Sequence, residues 1–335
     1  MANTRAYVWL CTLAALGCGG GTGLPDAATR SDTTTSDVTI NDSSPDAGGA
    51  ACGPTGTSPC SESTAVPGGT FYRSYDLAAD GLFSNMSYPA TVSGFRLDKY
   101  EVTVGRFRQF ALAGMGTQSS PPAAGGGSRS LNGMSDQGGW DPAWNTNLPI
   151  NTAALTAAVK CGGGSTWTDS AGANETLPID CISWFEAMAF CIWDGGFLPT
   201  DAEWNYAAAG GDEQRAYPWS NPNSSVTIDC THANYAGGCA GALNRVGSES
   251  PAGDGKWGHS DLAGNIMEWT LDWYTSPYPT PCDNCAQLTQ ASDNRVLRGG
   301  AYLESAMLVR AGVRRGGFTP FDRFPYIGVR CARAP

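Results

Sequence analysis

The sequence predicts a single folded α+β domain, rich in loops, low in regular structure and carrying a few short helices. Three observations predict this. Glycine (44 residues) and tryptophan (11 residues) are abundant in a chain of 335, so the core rests on large aromatics rather than on long periodic elements. Two segments have the spacing of capped helices and each stops at a glycine pair. No repeat of 20–50 residues and no second periodic apolar block is present, which leaves one domain.

Charged residues make up 15% of the chain and the formal net charge is −11. That balance excludes a nucleic-acid partner, which needs a basic face. The first residues read as a targeting segment, residues 1–17: Arg5 supplies the positive end and residues 7–17 a short apolar stretch. The stretch is too short for a spanning helix. Ala15-Leu16-Gly17 before Cys18 resembles a bacterial lipobox, with Ala15 where Leu is usual. The favoured reading is a lipoprotein lipidated at Cys18 and held at the outer membrane or in the periplasm; the alternative is plain secretion. Ten cysteines remain beyond Cys11 and Cys18, an even number, which in an exported chain reads as disulfides. Cys282 and Cys285 form the sole C-x-x-C, and His232 and His259 are isolated, so a zinc site is not expected.

Residues 18–64 are rich in Ser, Thr, Asp and Gly, with almost nothing large to bury, and read as a flexible tether. Near its end Cys52 and Cys60 are expected to pair locally. The folded part, residues 65–335, opens with VPGGTFYRS, a turn and a strand. Apolar residues Val92, Phe95 and Leu97 mark further strand. Thr103 reads as the N-cap of a helix that carries Val104, Phe107, Phe110 and Ala111 on one face. Residues 114–176 are Gly-, Ser- and Asn-rich with a few anchors (Trp140, Trp144, Leu148, Leu155, Trp167) and read as a long surface insertion. In Ser183-Trp184-Phe185-Glu186 and Thr200-Asp201-Ala202-Glu203 the first and last residues have capping-box spacing. Apolar stripes follow (Trp184, Phe185, Met188, Ala189, Ile192; then Trp204, Ala207, Ala208), ended by Gly195-Gly196 and Gly210-Gly211. The last third is turn-rich up to residues 298–331, which hold six arginines and end at Cys331.

Five segments, in order, resemble the formylglycine-generating enzyme family, also called sulfatase-modifying factors: VPGGTF, FRLDKYEVT, LPIDCISWFEAMAFCIWDGGFLPTDAEWNYAAAGG, GHSDLAGNIMEWTLDWY and RVLRGGAY…IGVRCAR. The resemblance implies a C-type-lectin-like variant fold over residues 66–333. It further implies a disulfide between Cys191 and Cys331. Closing a loop that long stabilises by about 4–5 kcal/mol in the chain-entropy model. It implies a structural calcium loop in DLAGNIMEW, with side-chain oxygens from Asp261 and Glu268 and carbonyls from Gly264 and Ile266. Closely spaced hard oxygens suit calcium. The alternative is a turn in which Asp261 and Glu268 cap backbone amides. A second family calcium site would use Asn234 and Tyr235, but the matching Asp is missing from the short loop GGCAGALNR.

Active members of the family bind copper(I) through two cysteines after R-G-G-S and oxidise a substrate cysteine to formylglycine. Here those positions are Glu304 and Val309, and the serine is Ala301. A carboxylate and an isopropyl group cannot replace two soft thiolates, so no copper is expected. The iron-dependent branch takes ligands from a histidine-bearing helical domain that this chain lacks. No nucleophile elbow, phosphate loop or dinucleotide fingerprint is present. Arg298, Arg310, Arg314, Arg315, Arg323 and Arg330 could line an anionic pocket, but internal ion pairs and carbonyl clamps are favoured. The leading expectation is a non-catalytic exported lipoprotein that binds a peptide, protein or glycan in a groove near Tyr302 and Glu304. Arg310, Arg314 and Trp257 are further groove candidates; Trp140, Trp144 and Trp167 could be wall residues or core anchors. The alternatives are an oxidoreductase of the same family and a structural component of a cell-envelope assembly. Convergence of Glu304, Arg310 and Arg314 in an open cleft would support a binding site.

Overall fold

The computed structural model describes residues 51–335. The targeting segment, Cys18 and the tether up to residue 50 lie outside the described residues. Strands β1 (Ala51–Cys52) and β2 (Ser58–Pro59) form a hairpin closed by Cys52–Cys60, as expected. Both cysteines are buried against Tyr100 and Val246. Among the described residues, regular structure is therefore already present at residues 51–59, within the stretch expected to be tether. A disulfide and two borrowed apolar neighbours order a hairpin whose own sequence has little to bury.

Strand β3 (Ser63–Val66) pairs along its whole length with β6 (Phe95–Asp98), and β4 (Gly69–Tyr72) pairs with β5 (Pro89–Val92). Thr103 caps α1 (Val104–Leu112) by accepting from Arg106 N. The segment 114–176 folds into β7 (Arg129–Leu131), β8 (Met134–Gln137), a 3-10 turn and α2 (Thr152–Ala158). Both predicted capping boxes are formed, at the starts of α3 (Trp184–Trp193) and α4 (Asp201–Ala208). Gly195 and Gly210 adopt the left-handed conformation that stops each helix.

Strand β9 (Met267–Trp273) lies inside a four-stranded sheet of order β11-β10-β9-β12, with β10 at Arg295–Arg298, β11 at Arg315–Phe318 and β12 at Ile327–Gly328. β13 (Ala332–Arg333) adds to β6 in a three-stranded sheet. The main core packs α1 and α3 against β9 through Phe107, Phe110, Phe190, Trp184 and Trp269. A second cluster packs α4 through Trp204 and Tyr206 against Phe71, Phe95 and Leu97.

The segment 114–176 departs from its expected role as a surface insertion. Leu131, Trp140, Leu148, Leu155 and Trp167 all lie in the main core. Trp140 meets Trp144 edge-on at 5.6 Å, and Trp144 meets Trp184 at 5.3 Å. Arg108 covers Trp167 at 4.4 Å. These tryptophans are core anchors, not groove walls.

Five disulfides take up all ten cysteines of the described residues: 52–60, 161–181, 191–331, 230–239 and 282–285. Cys191–Cys331 ties α3 to the residue before β13, the pairing that the resemblance implied. No helix among the described residues is long and apolar enough to cross a membrane.

Candidate functional site

The glycine turn after β10 positions the site. Gly299 and Gly300 have φ of 85° and 71°, and a Cβ on Gly300 would lie 2.7 Å from Leu308 O. Only glycine fits such a position. The turn is pinned by Gly264 N donating to Gly299 O (2.9 Å) and Tyr302 N donating to Asn265 O (2.9 Å). Beyond it, Ala301 is buried in the main core, and Val309 is buried with Tyr217 and Ala263.

Glu304 occupies the first of the two positions where the family's cysteines fall. Its Oε1 accepts from the Arg315 guanidinium, and its Oε2 is buried without a hydrogen-bond partner. Ala236 N donates to Glu304 O at 2.9 Å. Burial raises the Tyr326 phenol above its ordinary pKa, and the charges of Glu304 and Asp322 add to the rise. Tyr302, Glu304, Arg315 and Tyr326 thus share one neighbourhood.

The other groove candidates lie elsewhere. Arg310 Nη2 is 2.5 Å from Asp80 Oδ2, and Arg310 Nη1 is 3.7 Å from Asp76. Arg314 Nε is 2.6 Å from Asp201 Oδ2. Arg314 immediately precedes β11 and Arg315 is its first residue. Arg315 reaches Glu304, while Arg314 lines a separate cleft of about 300 Å³ with Arg73, Asp201, Asp272 and Tyr278. Trp257 stacks on Tyr206 (5.5 Å, 19°) in the packing of α4. Glu304, Arg310 and Arg314 therefore do not converge.

The remaining arginines are internal clamps, the favoured of the two readings. Arg298 Nε is 2.5 Å from Asp201 Oδ1, and its Nη1 donates to Val313 O at 2.7 Å. Arg323 pairs with Glu186 and donates to Cys181 O (3.0 Å). Arg330, wholly buried, donates to Asp98 O (3.0 Å), Lys99 O (2.8 Å) and Ser260 O (2.9 Å), and pairs with Glu268 (2.8 Å).

The arrangement of Glu268 bears directly on calcium. Both of its oxygens accept from Arg330, and Oε2 also accepts from Trp204 Nε1 at 2.6 Å. Asp261 Oδ2 accepts from Gly247 N at 2.6 Å, as in the amide-capping alternative. Burial together with nearby Glu249 pushes its carboxyl up to about 7. Gly264 (φ 86°) sits so close to Asn234 that a Cβ would lie 2.3 Å from Asn234 O. Asn265 and Ile266 donate to the buried Glu101 carboxylate, from the Asn265 side chain (2.7 Å) and the Ile266 N–H (3.3 Å). Burial raises Glu101 well above the ordinary carboxylate range, with Asp261 and Glu268 adding to it. Asn234 Oδ1 and Glu249 Oε2 are buried without partners, while Tyr235 packs beside Tyr217. As arranged, these residues do not fit the four-ligand calcium set, because an ion at Glu268 would have to displace a guanidinium.

Neither histidine joins a metal cluster. His259 is buried, and burial together with Arg330 lowers it to about 3, so it is neutral. His232 is 2.8 Å from Asp229 in the loop closed by Cys230–Cys239. Among the described residues, one grouping has metal-ligand geometry: Asp98, Asp194 and Cys331. Its carboxylates are paired with Arg106 and Arg333, and its cysteine is in a disulfide.

A model of the sulfatase-modifying factor enzyme 1-like domain family matches residues 50–335. Formylglycine-generating enzyme from Mus musculus is 27% identical over 259 residues, covering 72% of this chain and 66% of that protein. The enzyme of the same description from Streptomyces coelicolor is 34% identical over 189 residues, 50% of this chain and 58% of that protein. The chain thus spans about three-fifths to two-thirds of these two relatives. Inactive C-alpha-formylglycine-generating enzyme 2 from Bos taurus is 33% identical over 174 residues, covering 48% and 52%. Among solved structures, PvdO from Pseudomonas aeruginosa superposes with a TM-score of 0.56 at 20% identity, over 82% of this chain and 95% of that one.

Proposed function

The chain belongs to the sulfatase-modifying factor enzyme 1-like family, and we propose that it is a non-catalytic member: an exported domain that binds a peptide, protein or glycan without oxidising it. One observation carries this reading. The two positions for copper-binding cysteines hold Glu304, ion-paired to Arg315, and the buried Val309. Every cysteine of the described residues is in a disulfide, so no thiolate there remains as a soft donor. A relative described as inactive, from Bos taurus, supports the same reading. The ligand would lie along Tyr302, Glu304, Arg315 and Tyr326. Five disulfides support folding in an oxidising compartment, and Cys18 would carry the lipid that holds the domain at the cell envelope.

Hercynine oxygenase of Mycobacterium tuberculosis, 29% identical over 255 residues, raises an iron-dependent alternative. The buried neutral His259 and the loop histidine His232 speak against it.

The test is incubation of the chain with copper(I), dioxygen and a cysteine-containing peptide, followed by mass spectrometry. The expected result is an unchanged peptide. Conversion of its cysteine to formylglycine would overturn the proposal.

A further inference from the structure

The 300 Å³ cleft shares neither Tyr302 nor Glu304 with the ligand position proposed above. Its floor is charged. Asp201 sits between Arg298 and Arg314, at 2.5 and 2.6 Å. Asp272 accepts backbone N–H groups from Asp201 (2.8 Å) and Gln287 (2.7 Å). Arg73 is a third guanidinium, 3% exposed. It donates to neutral acceptors, Pro279 O at 2.7 Å and Cys285 Sγ at 3.5 Å, while its Nε has no hydrogen-bond partner. The Tyr278 ring lies between Arg73 (4.4 Å) and Arg314 (4.3 Å), which fixes the direction of both cations.

Asp201 is held by both Arg298 and Arg314, and Arg73, which lines the cleft, has no carboxylate at ion-pair distance among the described residues. A buried cation without a counter-charge is costly, and burial lowers the Arg73 pKa accordingly. One negative charge would complement Arg73, whereas a dianion would lie against Asp201 and Asp272. At the rim, Met134 from β8 and Leu288 from the loop after Cys285 offer apolar surface. The volume is at the lower end for small-ligand sites.

We propose that this cleft binds a small monocarboxylate with an apolar substituent, Arg73 holding the carboxylate and Met134 and Leu288 the substituent. This site is independent of the ligand position proposed at Glu304.

The experiment is calorimetric titration of the purified chain with N-acetyl-leucine, N-acetyl-leucine amide and sulfate. Saturable binding of N-acetyl-leucine is expected, with no heat from the amide or from sulfate. Arg73→Met should weaken that binding by about tenfold or more, as expected for loss of a charge-assisted hydrogen bond. Met134 is exposed, so Met134→Glu adds repulsion at the rim without touching the core, and it should weaken binding even if Arg73→Met does not fold. Equal binding of the amide or of sulfate would overturn the proposal. So would failure of N-acetyl-leucine to bind, or full affinity in Met134→Glu.

Discussion

Replacing Glu268 by glutamine isolates the ion pair at the centre of the domain. Glu268 and Arg330 are both wholly buried, and the guanidinium also holds three carbonyls of the segments around β6 and before β9. Glutamine keeps an acceptor for Trp204 Nε1 but removes the charge that balances Arg330. Breaking a buried pair in this way costs about 3–5 kcal/mol, because the remaining charge stays desolvated. At about 2–4 °C per kcal/mol for large domains, the midpoint should fall by roughly 10 °C. The assay is thermal unfolding of wild type and E268Q, each in calcium and in chelator. The wild-type midpoint should not respond to chelator, and E268Q should be the less stable in both buffers. A midpoint within about 2 °C of wild type would refute the role of the pair. A chelator-dependent fall in wild type that E268Q lacks would put a cation, not Arg330, opposite Glu268.

Cys191→Ser with Cys331→Ser opens a loop of 140 residues and should cost about 5 kcal/mol in the chain-entropy model, read by denaturant unfolding under non-reducing conditions. Asp180 Oδ1 accepts from Thr166 N (3.0 Å) and Thr166 Oγ1 (3.1 Å), while Oδ2 is buried without a partner. Burial raises its pKa to about 6 against these bonds. Because the folded pKa lies above the unfolded one, its contribution is fully present below about pH 4 and is lost as pH rises through about 6. Asp180→Asn should therefore flatten the fall in stability between pH 4 and 6, by up to about 3 kcal/mol. An unchanged pH profile in denaturant unfolding would show that Asp180 is not the titrating group. Gly300→Ala should destabilise the domain and disturb the Glu304 neighbourhood, since its Cβ would meet Leu308 O and Val309 at 2.7–2.8 Å. Loss of the near-ultraviolet signal of the surrounding tyrosines would report it, and a wild-type spectrum would count against the turn as the positioning element.

Helices α1, α3 and α4 were legible in the sequence because their signals are local; α2, capped by Asn151 within the segment that reads as surface, was not. Thr103, Ser183 and Thr200 each cap the helix that begins at the next residue, and the glycine pairs stop α3 and α4. β9 (MEWTLDW) does alternate apolar and polar residues, the period of a strand, but its start lies in DLAGNIMEW, the stretch that reads as a metal loop. Six of its seven residues are buried, so the alternation does not mark a solvent face. Its polar residues Glu268 and Asp272 are buried too, balanced by Arg330 and by backbone N–H groups that lie far away in sequence. The segment 114–176 read as surface because its tryptophans are widely spaced among Gly and Ser, yet each fills a gap in a core built by other elements. The hairpin at residues 51–59 was not legible because it depends on the Cys52–Cys60 bridge and on Tyr100 and Val246, not on apolar periodicity. In the site, the glycine turn and the missing cysteines were visible from the residues. The separation of Arg314 from Arg315 was not, because it depends on partners distant in sequence, Asp201 for the one and Glu304 for the other.

The central claim is that Glu304 and Val309 end the copper chemistry while the frame around them persists. Its most direct measurement is a competitive copper(I) titration of the chain with Cys11 and Cys18 replaced by serine, beside the same chain carrying Glu304→Cys and Val309→Cys. The parent should bind no copper(I) in competition with a chelator, and the double variant should gain one equivalent. Stoichiometric copper(I) binding by the parent would contradict the claim.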